Sequence, residues 1–277
     1  MASRKLMQQY ACDVFAKVES FRLNWIRTNQ KTIKADTYQS LIDAVAEGDE
    51  QNAGVKIILP PTVYGSPRWY VESFQDAMAI VRKTGKPDLF ITATCNPNWP
   101  EIKSSLFPNE QPCDRPDITV RIFHIKLKAL IEDLTINNIL GRVKSFIAMK
   151  EDQKRGLPHI HILITFIDED KPRNVTQIDK IVCAEIPNKS SNPELFSIIS
   201  KNNIHGPCGS LNPKSPCMTE EKKCDKNFPK QYAQTTMIHN SKYPEYRRRS
   251  IEQGGFSFQK TVCGQIITID NKSVVPF

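Results

Sequence analysis

Residues Met149–Phe166 read MKEDQKRGLPHIHILITF, and this stretch decides the fold. Gly156, Leu157 and Pro158 mark a turn, and the run after it, HIHILITF, is apolar, β-branched and of strand length. GRVKSFIAMKE (Gly141–Glu151) before the turn has the same character. The two runs predict an antiparallel hairpin. Alternate residues of a strand share a face, so His159 and His161 point one way and Ile160 and Ile162 the other. With a pairing sum of about 310–312, Glu151 and Gln153 lie across from the histidines on the same face. Two neutral imidazoles with one oxygen ligand can hold a divalent cation and leave positions open for water or a phosphate oxygen. Each histidine can equally be a pairing residue on a half-exposed strand, and both readings stand on these residues alone.

Working outward, residues 4–30 predict a helix with Leu6, Tyr10, Val14, Val18, Phe21 and Trp25 on one face. A second helix is expected from Asp36 through Tyr38, Leu41, Ile42 and Val45 to Gly48. VKIILPP (Val55–Pro61) reads as a short strand ended by prolines. Ser66-Pro67 is a cap followed by a first-turn proline, opening a helix that carries Tyr70, Phe74, Met78 and Val81 and ends at Gly85. Pro87–Cys95 reads as a strand. Asp114–Leu134 reads as a helix with Val120, Phe123, Leu127, Leu130 and Leu134 inward. The last strand is sought in GQIITIDNKSVVPF (Gly264–Phe277).

This order predicts an α+β fold in which an antiparallel central sheet is flanked by helices. The expected boundaries are an N-terminal helical segment (1–50), a core (54–184), a Cys-rich irregular insertion (185–250) and a C-terminal strand completing the core (251–277).

The chain has 277 residues, a formal net charge of +8 and 39% hydrophobic residues. A core is within reach, and the basic excess suits a polyanionic partner. No apolar stretch is long enough to span a membrane, and MASRKLMQQY lacks a signal-peptide core. The eight cysteines are therefore expected as thiols or metal ligands, in an intracellular soluble protein. His205, Cys208, Cys217 and Cys224 could form a structural zinc site in a polar region with little apolar content. The spacing matches no common zinc finger, so small buried thiols around Gly-Pro turns remain the other reading. Cys12, Cys95, Cys113, Cys183 and Cys263 look like singles. Lys154 and Arg155 on the hairpin turn are the basic residues best placed for phosphate. Tyr246 with Arg247, Arg248 and Arg249 offers a ring to stack on a base and three guanidinium groups, or simply a solvated surface. Trp99 could stack on a base or cap the core.

PHIHIL resembles the His-hydrophobic-His motif of HUH endonucleases, the rolling-circle initiators and relaxases. The likeness extends over Gln8–Val45, Pro67–Ile102, Asp114–Leu134, EDQKRGLPHIHIL, HGPCG, NPKSPCM and YPEYRRR. Together, in order and over nearly the whole chain, they resemble the N-terminal helicase-like (Rep) region of Helitron transposases. That resemblance implies metal-dependent cleavage and joining of single-stranded DNA by a tyrosine, in rolling-circle transposition. It implies Mg or Mn on His159, His161 and a third ligand, Glu151 or alternatively Gln153. FITATCNPNWP resembles the first Rep motif, which puts Thr92, Thr94, Asn96 and Trp99 at the DNA site. For the two threonines, ordinary strand propensity explains their presence as well.

The resemblance further implies a C-terminal helicase domain in the full-length protein and a nuclear location. No Tyr-x-x-x-Tyr spacing and no Walker A motif occur between Met1 and Phe277. The nucleophile is therefore expected beyond Phe277, where the family's pair follows the DNKSVVPF segment. The alternative is a catalytically incomplete, DNA-binding remnant or fragment.

Overall fold

The computed structural model describes residues 5–34, 57–152, 157–239, 243–262 and 264–277. They form two compact units, Met1–Lys171 and Pro172–Phe277.

The first unit is α+β. Helices α1 (Lys5–Thr28), α2 (Gln30–Lys34) and α3 (Pro67–Thr84) precede strand β1 (Leu89–Thr94). Helices α4 (Pro100–Lys103) and α5 (Pro116–Thr135) follow, then the hairpin of β2 (Val143–Asp152) and β3 (Pro158–Phe166). The three strands make an antiparallel sheet in the order β1-β3-β2. β3 is central because its residues are apolar on the inner side and strand-forming throughout. Its inner face, Ile160, Ile162, Ile164 and Phe166, is buried with Phe123, Leu127 and Leu134 of α5, Ile102 and Cys95. At about 25 cal/mol per Å2 of apolar surface, burying each such side chain contributes roughly 1.5–3 kcal/mol.

Local chemistry sets the ends of these elements. Ser66 Oγ accepts from the Trp69 amide at 3.1 Å, Pro67 occupies the first turn, and Gly85 ends α3 at φ +101°, where a side chain would be strained. Arg115, buried before α5, donates to Glu110 and Asp117 at 3.0–3.2 Å. Arg142 opens β2, its guanidinium held by Asp170 at 2.9 Å.

Four sequence expectations are refined or corrected here. The apolar face of α1 is exposed, with Leu6, Tyr10, Val14, Val18, Phe21 and Trp25 between 43% and 82% accessible, and Ile26 is the buried residue instead. The helix is tied through its C-terminal part, where Arg22 donates to the Thr62 carbonyl at 2.6 Å. Residues 57–60, expected within a strand, join no ladder. The Gln30 amide brackets Ile58 instead, accepting from its N–H at 2.9 Å and donating to its carbonyl at 3.1 Å, as a neighbouring strand would. On α5, Val120 is 42% exposed, while Thr119 takes the inward position one turn before Phe123. Tyr70 and Phe74 of α3 are likewise exposed. The helix expected at 36–48 lies outside the described residues.

The second unit holds α6 (Val175–Ile181), α7 (Pro193–Asn202) and a hairpin of β4 (Phe258–Val262) and β5 (Gln265–Ile269). The C-terminal residues were expected to complete the first sheet. They pair with each other instead, and their apolar side chains join Ile186 and Val274, with Phe196, Phe258 and Phe277 around them. The region read as irregular contains α7, announced by Asn192-Pro193 and by Leu195, Phe196 and Ile199. Isolated bridges, Ile204 with Val274 and Ala233 with Arg248, join its remaining segments.

Candidate metal centres

The hairpin pairs with a sum of 310: Glu151 faces His159 and Met149 faces His161. On the other side of β3, Thr94 faces His159 and Thr92 faces His161. Helix α5 covers only the opposite face, so this one is open, with Thr92, Thr94, Met149 and Glu151 exposed and the two histidines half-buried. Thr94 Oγ1 lies 2.6 Å from His159 Nδ1, which leaves Nε2 as the free ring nitrogen. His161 Nε2 lies 3.3 Å from Glu151 Oε2. The imidazoles meet edge to face at 4.5 Å, and Phe90 stacks on His161 at 5.4 Å. Burial, then the neighbouring His161, pushes the His159 pKa below the usual imidazole value. The neutral form, the one that binds metals, is thereby favoured. His161 Nδ1 is buried without a partner among the described residues.

Phe90 was not singled out in the sequence, although it sits two and four residues before Thr92 and Thr94 on the same face. Gln153, Lys154 and Arg155 lie outside the described residues. Asn96 spends its side chain on its own turn, Oδ1 accepting from the Asn98 amide at 2.9 Å. Trp99 packs against the core cluster, with Lys126 Nζ 5.0 Å from its ring centre.

The four residues of the Cys-rich stretch do converge. The ligand atoms of His205, Cys208, Cys217 and Cys224 lie within 4.8 Å of one another. Among the described residues no other group of three or more such side chains is gathered in this way. His205 Nε2 is 3.6 Å from Cys208 Sγ and 3.3 Å from Cys224 Sγ. The His205 ring stacks on Phe228 at 4.2 Å and 11°. Cys208 is pushed up to about 12 by burial and by the sulfurs of Cys217 and Cys224. Burial also opposes the Cys224 thiolate, but the Phe228 and Lys226 amides together with the Cys217 and Cys208 side chains outweigh it and lower its pKa. One imidazole and three thiols crowded together form a set that a cation such as zinc could satisfy.

A family profile described as the Helitron helicase-like domain at N-terminus matches residues 1–164. The chain belongs to the Helitron helicase-like family. A comparison with curated proteins gave no match. The Helitron match ends inside β3 and takes in both hairpin histidines, whereas the Cys/His centre lies outside it. Membership supports a role related to Helitron transposases, with nucleic acid as partner. Among the described residues no helix is long and apolar enough to cross a membrane.

The arginine run of this Helitron protein is largely committed to its own fold. Arg248 is 5% exposed and donates to the carbonyls of Asn271 and Val274 at 2.7 Å and of Ala184 at 3.4 Å. Its expected place at a phosphate is thereby corrected. Arg247 and Arg249 both pair with the Glu185 carboxylate, at 3.2 and 2.7 Å. Burial works against the charge on Glu185, but the bonds from Arg249 outweigh it and leave the pKa lowered. Tyr246 is half-buried. Glu185, more than sixty residues from its partners, carried no signal in the sequence.

Proposed function

We propose that the first unit is an HUH (Rep-like) endonuclease domain of a Helitron transposase, cleaving and joining single-stranded DNA in rolling-circle transposition. The observation that carries the reading is the open face of β3. There two histidines stand side by side, with a carboxylate 3.3 Å from one and a threonine hydroxyl 2.6 Å from the other. His159, His161 and Glu151, or Gln153 in its place, hold Mg or Mn. Bound there, the metal would supply Lewis-acid polarisation of a scissile phosphate.

The protein's own residues prepare that chemistry. Thr94 fixes the His159 ring, Phe90 fixes the His161 ring, and Glu151 supplies negative charge that favours a cation over an anion at the face. The exposed row of Thr92 and Thr94 lines the approach, with Lys154 and Arg155 as phosphate contacts from the turn. In this reading a tyrosine hydroxyl attacks the DNA phosphate, and the protein works in the nucleus. In the second unit the Cys/His set holds a structural zinc.

Manganese titration by calorimetry, on this chain and on the His159→Ala/His161→Ala variant, tests the reading. Binding by the parent and its loss in the variant are expected. Absence of binding by a folded parent sinks the catalytic reading and favours a DNA-binding module without cleavage.

A further inference from the structure

A cleft of about 1220 Å3 opens in the second unit, outside the face of β3. It is larger than the roughly 300–1,000 Å3 of common small-molecule sites. The Cys/His centre forms one wall, through His205, Cys208 and Cys224. Phe228, stacked on His205, adds an aromatic surface, and Lys230 Nζ stands 5.1 Å from its ring centre. Tyr243 lies on the lining with 78% of its surface exposed. Lys222, Lys223, Lys226 and Lys230 also line the cleft. Against them stands one carboxylate, Glu245, which is itself 3.4 Å from His239. Ion pairs to Glu221 and Asp225 hold Lys223 and Lys226 at the surface. Such exposed pairs are weak and exchange readily for a phosphate.

A large open cleft with aromatic faces inside and lysines around it matches a flexible polyanion whose flat groups can stack. Duplex DNA hides its base faces, whereas a single strand offers them. We infer that this cleft binds single-stranded DNA, with a base stacked on Tyr243 and phosphates held by Lys222, Lys226 and Lys230. The choice of DNA over other single-stranded polyanions rests on the Helitron reading above; the cleft itself does not depend on the hairpin site. The wall formed by His205 and Phe228 makes the groove depend on the Cys/His centre for its shape.

The test is fluorescence anisotropy of a labelled oligo(dT) of roughly 12 nucleotides, with the full chain and no added manganese. Tyr243→Ala is expected to weaken binding about tenfold, and Tyr243→Phe to leave it near the parent value. Tyr243 is exposed, so neither change threatens folding. Lys222→Gln and Lys226→Gln are each expected to reduce the slope of log affinity against log salt by about 0.7. Binding should survive in the His159→Ala/His161→Ala variant, which separates this inference from the hairpin reading. The inference is overturned if Tyr243→Ala and both lysine variants bind as the parent does. Loss of binding in the hairpin variant alone, or equal competition by a duplex of the same length, overturns it as well.

Discussion

The two units are held together by different physics. Around β3, order comes mainly from aliphatic and aromatic side chains closed against α5, and the buried polar groups Arg115 and Thr119 bond to neighbours in sequence. In the second unit the apolar cluster is small, and buried polar groups link distant segments: Arg248 to three carbonyls, Glu185 to two arginines, Asn271 to Ile186 and Arg249. A hydrophobic core tolerates exchange of similar volumes. A polar network does not, because each member left unpaired in a low-dielectric interior carries its full desolvation cost.

The largest effect that sharpens this contrast is metal removal. With zinc on His205, Cys208, Cys217 and Cys224, chelation should withdraw stabilisation on the order of 10 kcal/mol from the segments it joins. Limited proteolysis is then expected to cut within residues 205–231, while hydrogen exchange in β1, β2 and β3 stays slow. Simultaneous loss of protection in both units would break the contrast. Next comes Arg248→Met, which leaves the carbonyls of Asn271, Val274 and Ala184 without their donor. A loss of about 3 kcal/mol is expected in urea unfolding of the second unit. An unchanged midpoint would show that the network adds nothing to the apolar cluster.

The smallest effect belongs to the first unit and depends on pH. The guanidinium of Arg142 holds the Asp170 carboxyl down to about 2, below its ordinary value of 3.8. A lowered carboxyl pKa contributes stability that is present above the unfolded value and lost as pH falls toward the folded one. Parent protein should therefore weaken between about pH 4 and pH 2, and Asp170→Asn should show less of that decline. Identical acid profiles for the two would remove the pair from the account.

Much of the first unit was legible because its signals are local. A turn between two apolar runs gave the hairpin, period-two alternation gave the histidine face, and Ser66-Pro67 with Gly85 gave both ends of α3. What failed was whatever depends on partners distant in sequence. Periodicity shows that α1 has an apolar face but not whether anything covers it, and Leu6 and Trp25 on that face are exposed. A run of arginines looks the same whether it meets solvent, phosphate or Glu185. The Cys/His set was visible as residue types, but its convergence depended on loops that no repeat or common spacing describes. Val120 was missed by one residue, about 100° of helix rotation.

Asn271 has a consequence in time. Its amide accepts from Ile186 N–H at 2.7 Å and donates to the Arg249 carbonyl at 2.8 Å, while its own carbonyl receives Arg248. The sheet of the first unit has all its strands once Phe166 has left the ribosome. The second unit cannot close until Asn271 has followed. At roughly 5–20 residues per second, the interval is on the order of 5–20 s. For that interval Glu185 and the four side chains of the Cys/His centre emerge without the network that later fixes them. A nascent chain of this protein therefore carries a finished sheet beside an open, thiol-bearing segment.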